Sequence, residues 1–438
     1  MSYYFIPMSL IMTNSPSKHQ KIAIVGSGIA GLSAAYALHT KADITLFEAG
    51  TYFGGHANTV DIQVNGNVFG VDTGFLIYNE RTYPGLIELF QTLNVSVAPS
   101  EMGFSVQVMN DGKPREWAGN SLASVFAQKW QWLSPRHWGM LLDIMRFNRV
   151  ATAWVTKSGI TQNTVQTVGE FLDKQSFGSA FIEDYFLPMI ACIWSCPLAQ
   201  MKAYPISALL QFCHNHGLLQ ITGRPQWFTV VGGSKNYVQR ILTCMSDKRL
   251  NAKVMRIQRH ADGVDIWTAN KPTPERYDAV IMACHPDQTL QILSETASAA
   301  EQSILGAIRY QANTAVLHTD ASVMPKNPRA WAAWNYERQG DSDQVCLHYW
   351  LNKLQPLPTE TPIFVSLNPI RELDPRKVHQ RINYDHPIFD VGALQAQSEL
   401  AQIQGKNRTW FAGAWCRYGF HEDGFQAGLA AANGVLKS

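Results

Sequence analysis

The chain has 438 residues, with 36 Lys and Arg against 34 Asp and Glu, for a net charge of +2. That balance excludes the clustered basic footprint of a nucleic-acid binder, and a chain this long buries a core without disulfides or metal. Charged residues are only 16% and aromatics 11%, so the chain is not globally disordered, and its apolar surface calls for a large interior, a greasy pocket or a membrane-facing patch. Residues 1–20 carry an apolar run without a basic region ahead of it, which predicts a loosely ordered leader, with Met8 and Met12 as alternative starts to Met1. Residues 21–25 are a short apolar run, the pattern of a buried parallel strand. Gly26, Gly28 and Gly31 follow, then a helix from 32 to 38 and a second strand over 44–47 ending at Glu48, which makes a βαβ unit.

A hairpin is expected over 101–117, with Asn110-Asp111-Gly112 as its turn. Residues 120–220 read as helical and rich in Trp. Strands return at 254–257, 264–268 and 279–283. Another group falls at 315–318, 330–336, 345–350 and 363–367, whose alternation predicts an antiparallel sheet. Residues 409–415 form a strand that leads through a glycine-rich loop into a helix over 424–435. The seven cysteines are scattered without a CxxC pair, Cys192 and Cys196 being nearest, which reads as reduced thiols and no metal site. The expected organisation is a nucleotide-binding domain in three pieces, 21–80, 225–290 and 395–438. A second domain, 81–224 and 291–394, is interwoven with it and carries a helical lid over about 118–220.

The glycine motif has its full context: a strand before, a helix after, and an acid twenty residues beyond Gly28. Gly26 permits the tight turn, Gly28 lets backbone approach a pyrophosphate, and Gly31 allows close helix–strand packing. The helix start at Ile29 and Ala30 offers free N–H groups and a partial positive charge. Glu48, followed by Ala49, is placed to accept hydrogen bonds from an adenosine ribose, and its charge disfavours NADP.

Gly54-Gly55-His56 then resembles the extended fingerprint of the glutathione-reductase-like flavoproteins, in the amine oxidase and phytoene desaturase branch. Arg usually stands where this chain has His56, so the fixed guanidinium charge is lost. In that resemblance Asp72-Thr73-Gly74-Phe75 passes the flavin ring, and Val254 contacts adenine through its backbone. Ala283 joins the cofactor set. The stretch around Gly413 returns over the flavin, with Gly424 and Phe425 aiming a helix N-terminus at its ring. The phrases Tyr78-Asn-Glu-Arg-Thr-Tyr83, Ile193-Trp-Ser195, Val231-Gly-Gly-Ser234 and Gly419-Phe-His-Glu-Asp-Gly424 resemble a bacterial family of NAD/FAD-binding amine-oxidase-like proteins. Those proteins often accompany cyclopropane-fatty-acid-synthase-like methyltransferases. The resemblance implies an α/β fold with a Rossmann-type FAD domain and an α+β substrate domain, FAD as cofactor, and such a methyltransferase as a partner.

Amine oxidases commonly place a Lys near flavin N5, but 310–318 contains none, and Asn313 or Thr314 stands there. They also place an aromatic residue near the closing glycine, where His421 stands. His421 is the candidate acid or base, or else a loop histidine bound to a carbonyl. Glu422 is expected to hold a ribityl hydroxyl or orient His421, and Asp423 to touch the cofactor or cap the helix. His285 follows a strand and can face the cofactor, whereas His318, His348 and His386 read as core or interface histidines. His214 and His216 form an HxH without a third ligand. Tyr78, Tyr349 and Trp350 line a pocket or pack within sheets. In 122–156, Trp130, Trp132 and Trp138 alternate with Lys129, Arg136, Arg146 and Arg149. That pattern suits a lid over the pocket, peripheral docking on an anionic membrane, or both. The function expected is FAD-dependent transfer of hydride from a substrate C–H bond to N5, with an apolar, acyl-like substrate favoured. The alternatives are an amine oxidase, a flavin-dependent isomerase without net redox change, and a non-catalytic flavin-binding partner of a lipid-modifying enzyme. A cytoplasmic location is expected, extending to the inner face of the membrane.

Overall fold

The computed structural model describes residues 20–110, 113–158, 166–220, 222–340 and 344–438. The leader and residues 111–112 of the expected hairpin turn lie outside them. A five-stranded parallel sheet has the order β10-β2-β1-β14-β20. Its strands are β1 (Gln20–Val25), β2 (Ala42–Phe47), β10 (Asp247–Arg249), β14 (Ala279–Met282) and β20 (Thr409–Phe411). Both faces of such a sheet are covered, so its central strands read as unbroken apolar runs. On one face lies α1 (Ile29–Leu38), buried along its whole length, and against α1 packs α9 (His421–Leu436). The two helices meet without side-chain thickness. A Cβ on Gly428 would stand 2.0 Å from both the Ala30 carbonyl oxygen and Ser33 Oγ. Ser33 Oγ also donates to the Phe425 carbonyl at 2.9 Å.

A seven-stranded sheet has the order β19-β15-β18-β17-β16-β7-β8. Its members are β7 (Phe104–Asn110), β8 (Lys113–Ala118), β15 (Tyr310–His318), β16 (Trp334–Gln339), β17 (Cys346–Trp350), β18 (Phe364–Leu367) and β19 (Val378–Pro387). It is antiparallel except where β7 and β16 run parallel, so the expected hairpin joins the later strands. The strand expected at 330–336 begins only at Trp334, because a 3-10 turn, Pro328–Ala330, occupies its first residue. Strand β11 (Val254–His260) pairs with β12 (Gly263–Thr268), and β12 with β13 (Lys271–Tyr277). Two short sheets complete the set: β3 (Thr59–Val64) with β4 (Asn67–Asp72), and β9 (Trp227–Val230) between β5 (Tyr78–Asn79) and β6 (Val97–Ser100).

The region expected to be helical contains α3 (Pro135–Ser158), α4 (Val168–Lys174), α5 (Leu187–Trp194), α6 (Leu198–Ala203) and α7 (Ile206–Asn215). Their apolar faces share one core with the seven-stranded sheet. Two further helices frame the parallel sheet, α2 (Pro84–Thr92) and α8 (Lys235–Thr243). Among the described residues no helix is long and apolar enough to cross a membrane. All seven cysteines are free thiols.

The seven-stranded sheet buries a polar chain. Glu337, Cys346 and His348 bring ligand-type atoms within 4.8 Å of one another, among the described residues the one group of this kind. Its partners are already present. His348 Nε2 lies 2.9 Å from Glu337 Oε2, and His348 Nδ1 lies 2.6 Å from Ser366 Oγ. The other Glu337 oxygen accepts from Arg371 Nε. Burial alone would discharge His348, but Cys346 and Glu337 outweigh it and raise its pKa to about 9. A histidine held tighter in the folded state than at its ordinary value of about 6.5 adds stability that is complete below that value. That stability is lost as pH rises through 9. The melting temperature should therefore fall by several degrees from pH 6.5 to 9.5, and His348→Gln should flatten that slope. Parallel curves for the two proteins in a calorimeter would refute the coupling.

Candidate active site

A large cavity runs between the parallel sheet and the seven-stranded sheet, with a volume of about 1280 Å³. Ordinary small-molecule sites span roughly 300–1,000 Å³. On the side of the parallel sheet its wall is the glycine turn, namely Gly26, Ser27, Gly28, Ile29 and Ala30, together with Glu48, Ala49, Val254 and Ala283. The turn is built for close backbone approach. Gly26 has φ +104°, and a Cβ on Gly31 would fall 1.9 Å from the Gly26 carbonyl oxygen. A Cβ on Gly28 would meet nothing within 4 Å, so the cavity opens at that residue. Gly28 is also the N-cap of α1, with no side chain bonded there, so the first N–H groups of the helix are left for another partner. Glu48 locks the turn: Oε2 accepts from Ser27 N at 3.0 Å and Ser27 Oγ at 2.5 Å, and Oε1 accepts from Gly50 N at 2.7 Å.

The middle of the wall gathers histidines. His56 stacks on Tyr384 at 4.6 Å and lies 5.2 Å from His386. Its Nε2 is buried without a partner among the described residues, and burial holds its pKa well below the ordinary value. Burial also lowers His386 to about 4. His285, likewise lowered by burial, stacks on Tyr310 at 4.0 Å. His421 lies flat on Phe75, with ring centroids 3.9 Å apart and planes 10° apart. Its Nε2 is 2.6 Å from Tyr237 Oη. Burial pushes His421 down to about 3 and raises Tyr237, so the phenol donates and the imidazole is neutral, its proton on Nδ1. His421 is therefore a neutral hydrogen-bonding group near neutral pH, on the cavity wall where its candidate role needs it.

Of the expected cofactor residues, Gly55, Thr73, Gly74, Phe75 and Gly413 also line the cavity, but Gly31, Gly54, Asp423, Gly424 and Phe425 do not. The last three moved for one reason: α9 begins at His421, not Gly424, because Phe420 N donates to Asp423 Oδ2 at 3.0 Å and starts the turn early. Gly424 then packs on Ile29, and Phe425 is fully buried. Asp423 sits at N3, its pKa raised by burial to about 7. Glu422 is corrected as a catalytic candidate. It is buried away from the cavity, where it accepts from Gly85 N at 2.9 Å and Leu86 N at 3.0 Å and caps α2. Asn313 is corrected too: it stands behind the wall, where its amide lies 3.1 Å from His386 Nδ1. Tyr349 lines the cavity, whereas Tyr78 packs on Phe90 and Phe228, and Trp350 on Trp331. His216 lines the cavity, stacked on Phe212 at 3.9 Å. Sequence reasoning missed Ser27, Tyr384, Tyr418, Phe420 and Arg224 and read His386 as a core or interface histidine, yet all six are on the wall. Ser27 was readable as the residue between two motif glycines.

An uncapped helix N-terminus, an open glycine, a carboxylate at the end of the neighbouring strand and a buried unpartnered imidazole together fit a dinucleotide cofactor. The model of the family described as flavin-containing amine oxidoreductase matches residues 29–331. The chain belongs to that family. It is a FAD-dependent oxidoreductase with a Rossmann-type nucleotide-binding fold. No curated protein sequence matches this oxidoreductase. Among solved structures it is similar in fold to cyclohexylamine oxidase from Brevibacterium oxydans IH-35A, with 16% identity and a TM-score of 0.67 over 96% of this chain and 99% of that one. It is also similar to a fatty acid isomerase from P. acnes that produces CLA, with 14% identity and a TM-score of 0.64 over 97% and 100% of the two chains. Putrescine oxidase bound to putrescine gives 14% identity and a TM-score of 0.66 over the same shares.

Proposed function

We propose that this oxidoreductase oxidises a C–H bond of an apolar, acyl-like chain and not of an amine. One observation carries the reading. From Tyr83 to Trp227 the cavity wall holds no Asp or Glu and one charged group, Arg224, whereas the acids Glu48, Asp287 and Asp385 stand on its other segments. Arg224 makes no ion pair among the described residues; its Nε donates to the Gln220 carbonyl at 2.7 Å. A cationic amine gains no counter-charge there and meets a guanidinium, whereas an acyl chain meets Val125, Leu141, Ile144, Met189, Ile193 and Leu218.

Bound FAD supplies a hydride acceptor at N5. The chain's own residues bind, orient and exclude water. The turn Gly26–Gly28 with Ile29 and Ala30 of α1 would take the pyrophosphate, Glu48 the adenosine ribose, and Ala49 and Val254 the adenine. Gly55, His56, Thr73, Gly74, Phe75, Ala283, Gly413 and the start of α9 would cradle the rest. His421, fixed by Tyr237 and Phe75, offers Nδ1–H as a neutral donor, and Asn313 holds His386 in one tautomer. Phe420 and Tyr418 supply apolar wall on the substrate side.

The test is anaerobic mixing of the holoenzyme with detergent-dispersed bacterial lipid and, separately, with primary amines. Lipid should bleach the flavin absorption and amines should not; bleaching by amines alone would overturn the reading. Turnover without net electron consumption would mark an isomerase. His421→Ala should slow lipid-driven reduction at least tenfold while retaining FAD. Because His421 stays neutral above about 3, the wild-type rate should show no imidazole breakpoint between about pH 5 and 8. A breakpoint there that disappears in His421→Ala would restore proton transfer to this residue.

A further inference from the structure

Half of the large apolar side chains exposed among the described residues fall within 122–145. Leu122, Trp132, Leu133 and Leu142 are 75%, 53%, 89% and 59% exposed, well beyond what a lid packed shut would leave in water. Direct contacts join the aromatic members of this stretch. Trp132 stacks on Phe126 at 3.8 Å, and Trp138 Nε1 donates to the Trp132 carbonyl at 3.0 Å. From Trp138 the stripe continues at helical spacing along α3 through Leu142 and Met145 to Arg149.

The fringe of this patch is positive. Its one acid between 122 and 156, Asp143, is already engaged, with Oδ1 3.0 Å from Arg146 Nε and Oδ2 accepting from Gly178 N at 2.8 Å. Arg136 is tied to Asp184 at 3.0 Å. Lys129 and Arg149, at the two ends of the stripe, make no ion pair among the described residues. Behind the patch, Val125 and the α3 residues Leu141 and Ile144 form wall of the active-site cavity. One segment thus presents an exposed aromatic and aliphatic face outward and an apolar lining inward.

We infer that this face docks on an anionic lipid bilayer and that α3 borders the passage by which an acyl chain enters the cavity from the membrane. Exposed Trp and Leu flanked by unpaired Lys and Arg match an interfacial helix, whose apolar face enters the headgroup boundary while its cations meet anionic lipid. The passage rests on the substrate reading above; the docking rests on the patch.

The test is sedimentation of the FAD-loaded protein with vesicles of phosphatidylglycerol and phosphatidylcholine, and with phosphatidylcholine alone. The protein should bind the anionic vesicles, with binding that weakens as salt rises. Leu133→Ser with Leu142→Ser should lower the partition at least tenfold, and Lys129→Gln with Arg149→Gln should abolish the preference for phosphatidylglycerol. Both double variants should keep full flavin and the wild-type rate on detergent-dispersed lipid, which shows that they are folded. Failure of the wild type to bind anionic vesicles at low salt overturns the docking, as does equal binding by the serine variant. Vesicle binding with no flavin bleaching by dispersed lipid supports the docking and removes the acyl substrate instead.

Discussion

Glu48→Ala should purify as a soluble, nearly colourless protein whose dissociation constant for FAD is raised about 100-fold or more. The carboxylate has two tasks. It accepts from Ser27 N, Ser27 Oγ and Gly50 N, so it sets the shape of the glycine turn. It also lines the cavity, where it is proposed to accept from ribose hydroxyls. Hydrogen bonds to a charged group contribute about 1.5–3 kcal/mol each, so losing two to the ribose gives at least roughly 3 kcal/mol, which sets about two decades in affinity as the smallest effect expected. Glu48→Gln keeps the length but loses the charge and should fall between the two. Flavin titration of the apoprotein measures the effect. Full occupancy of Glu48→Ala would remove Glu48 from the cofactor site. The melting temperature of the apoprotein should fall as well, because the same substitution removes the three hydrogen bonds that hold the glycine turn and leaves the buried Ser27 donors unpaired.

Gly428→Val should cost more, in stability and flavin together. A Cβ at 428 stands 2.0 Å from a backbone carbonyl oxygen, which cannot rotate away. The helices must part, and the bond from Ser33 Oγ to the Phe425 carbonyl parts with them. Overpacking of this kind costs about 1–3 kcal/mol, and a lost buried hydrogen bond adds about 1 kcal/mol. Separation of α1 from α9 also moves both helix N-termini that face the cavity. We expect a melting temperature lowered by roughly 5 °C or more and a flavin content below half. Wild-type melting with full flavin in this variant would mean that the two helices are not a rigid pair.

What could be read from the sequence follows from how local each signal is. The βαβ start was legible because each glycine has its own mechanical reason and β1 is an apolar run. The return of the chain at β20 was legible from the same kind of run. By contrast β19, with the sequence VHQRINYDHP, is largely polar at the edge of its sheet, and its propriety as a strand comes only from pairing with β15. Missing it hid Tyr384 and left His386 read as a core or interface histidine. Strand β13 was lost similarly, since two prolines and three charges argue against a strand that is in fact an edge. The start of α9 was misplaced because Phe420 is no ordinary cap, and Asp423 reaches back to its N–H instead. Glu422 looked catalytic beside His421 because neighbours on a loop can share a site. On a helix, successive residues point about 100° apart, which sends Glu422 to α2.

The strand order has a consequence for biosynthesis. In the parallel sheet β14 lies between β1 and β20, and β20 leads through residues 412–420 into α9, which covers α1. At translation speeds of about 5–20 residues per second, β1 waits roughly 20–80 s for β20 to emerge. Until then the β14 edge and the apolar flank of α1 stay uncovered on the nascent polypeptide, surfaces that a chaperone would shield. Cofactor capture must accordingly follow the emergence of β20 and α9, and stalled chains that stop short of β20 should accumulate as flavin-free clients of that shielding machinery.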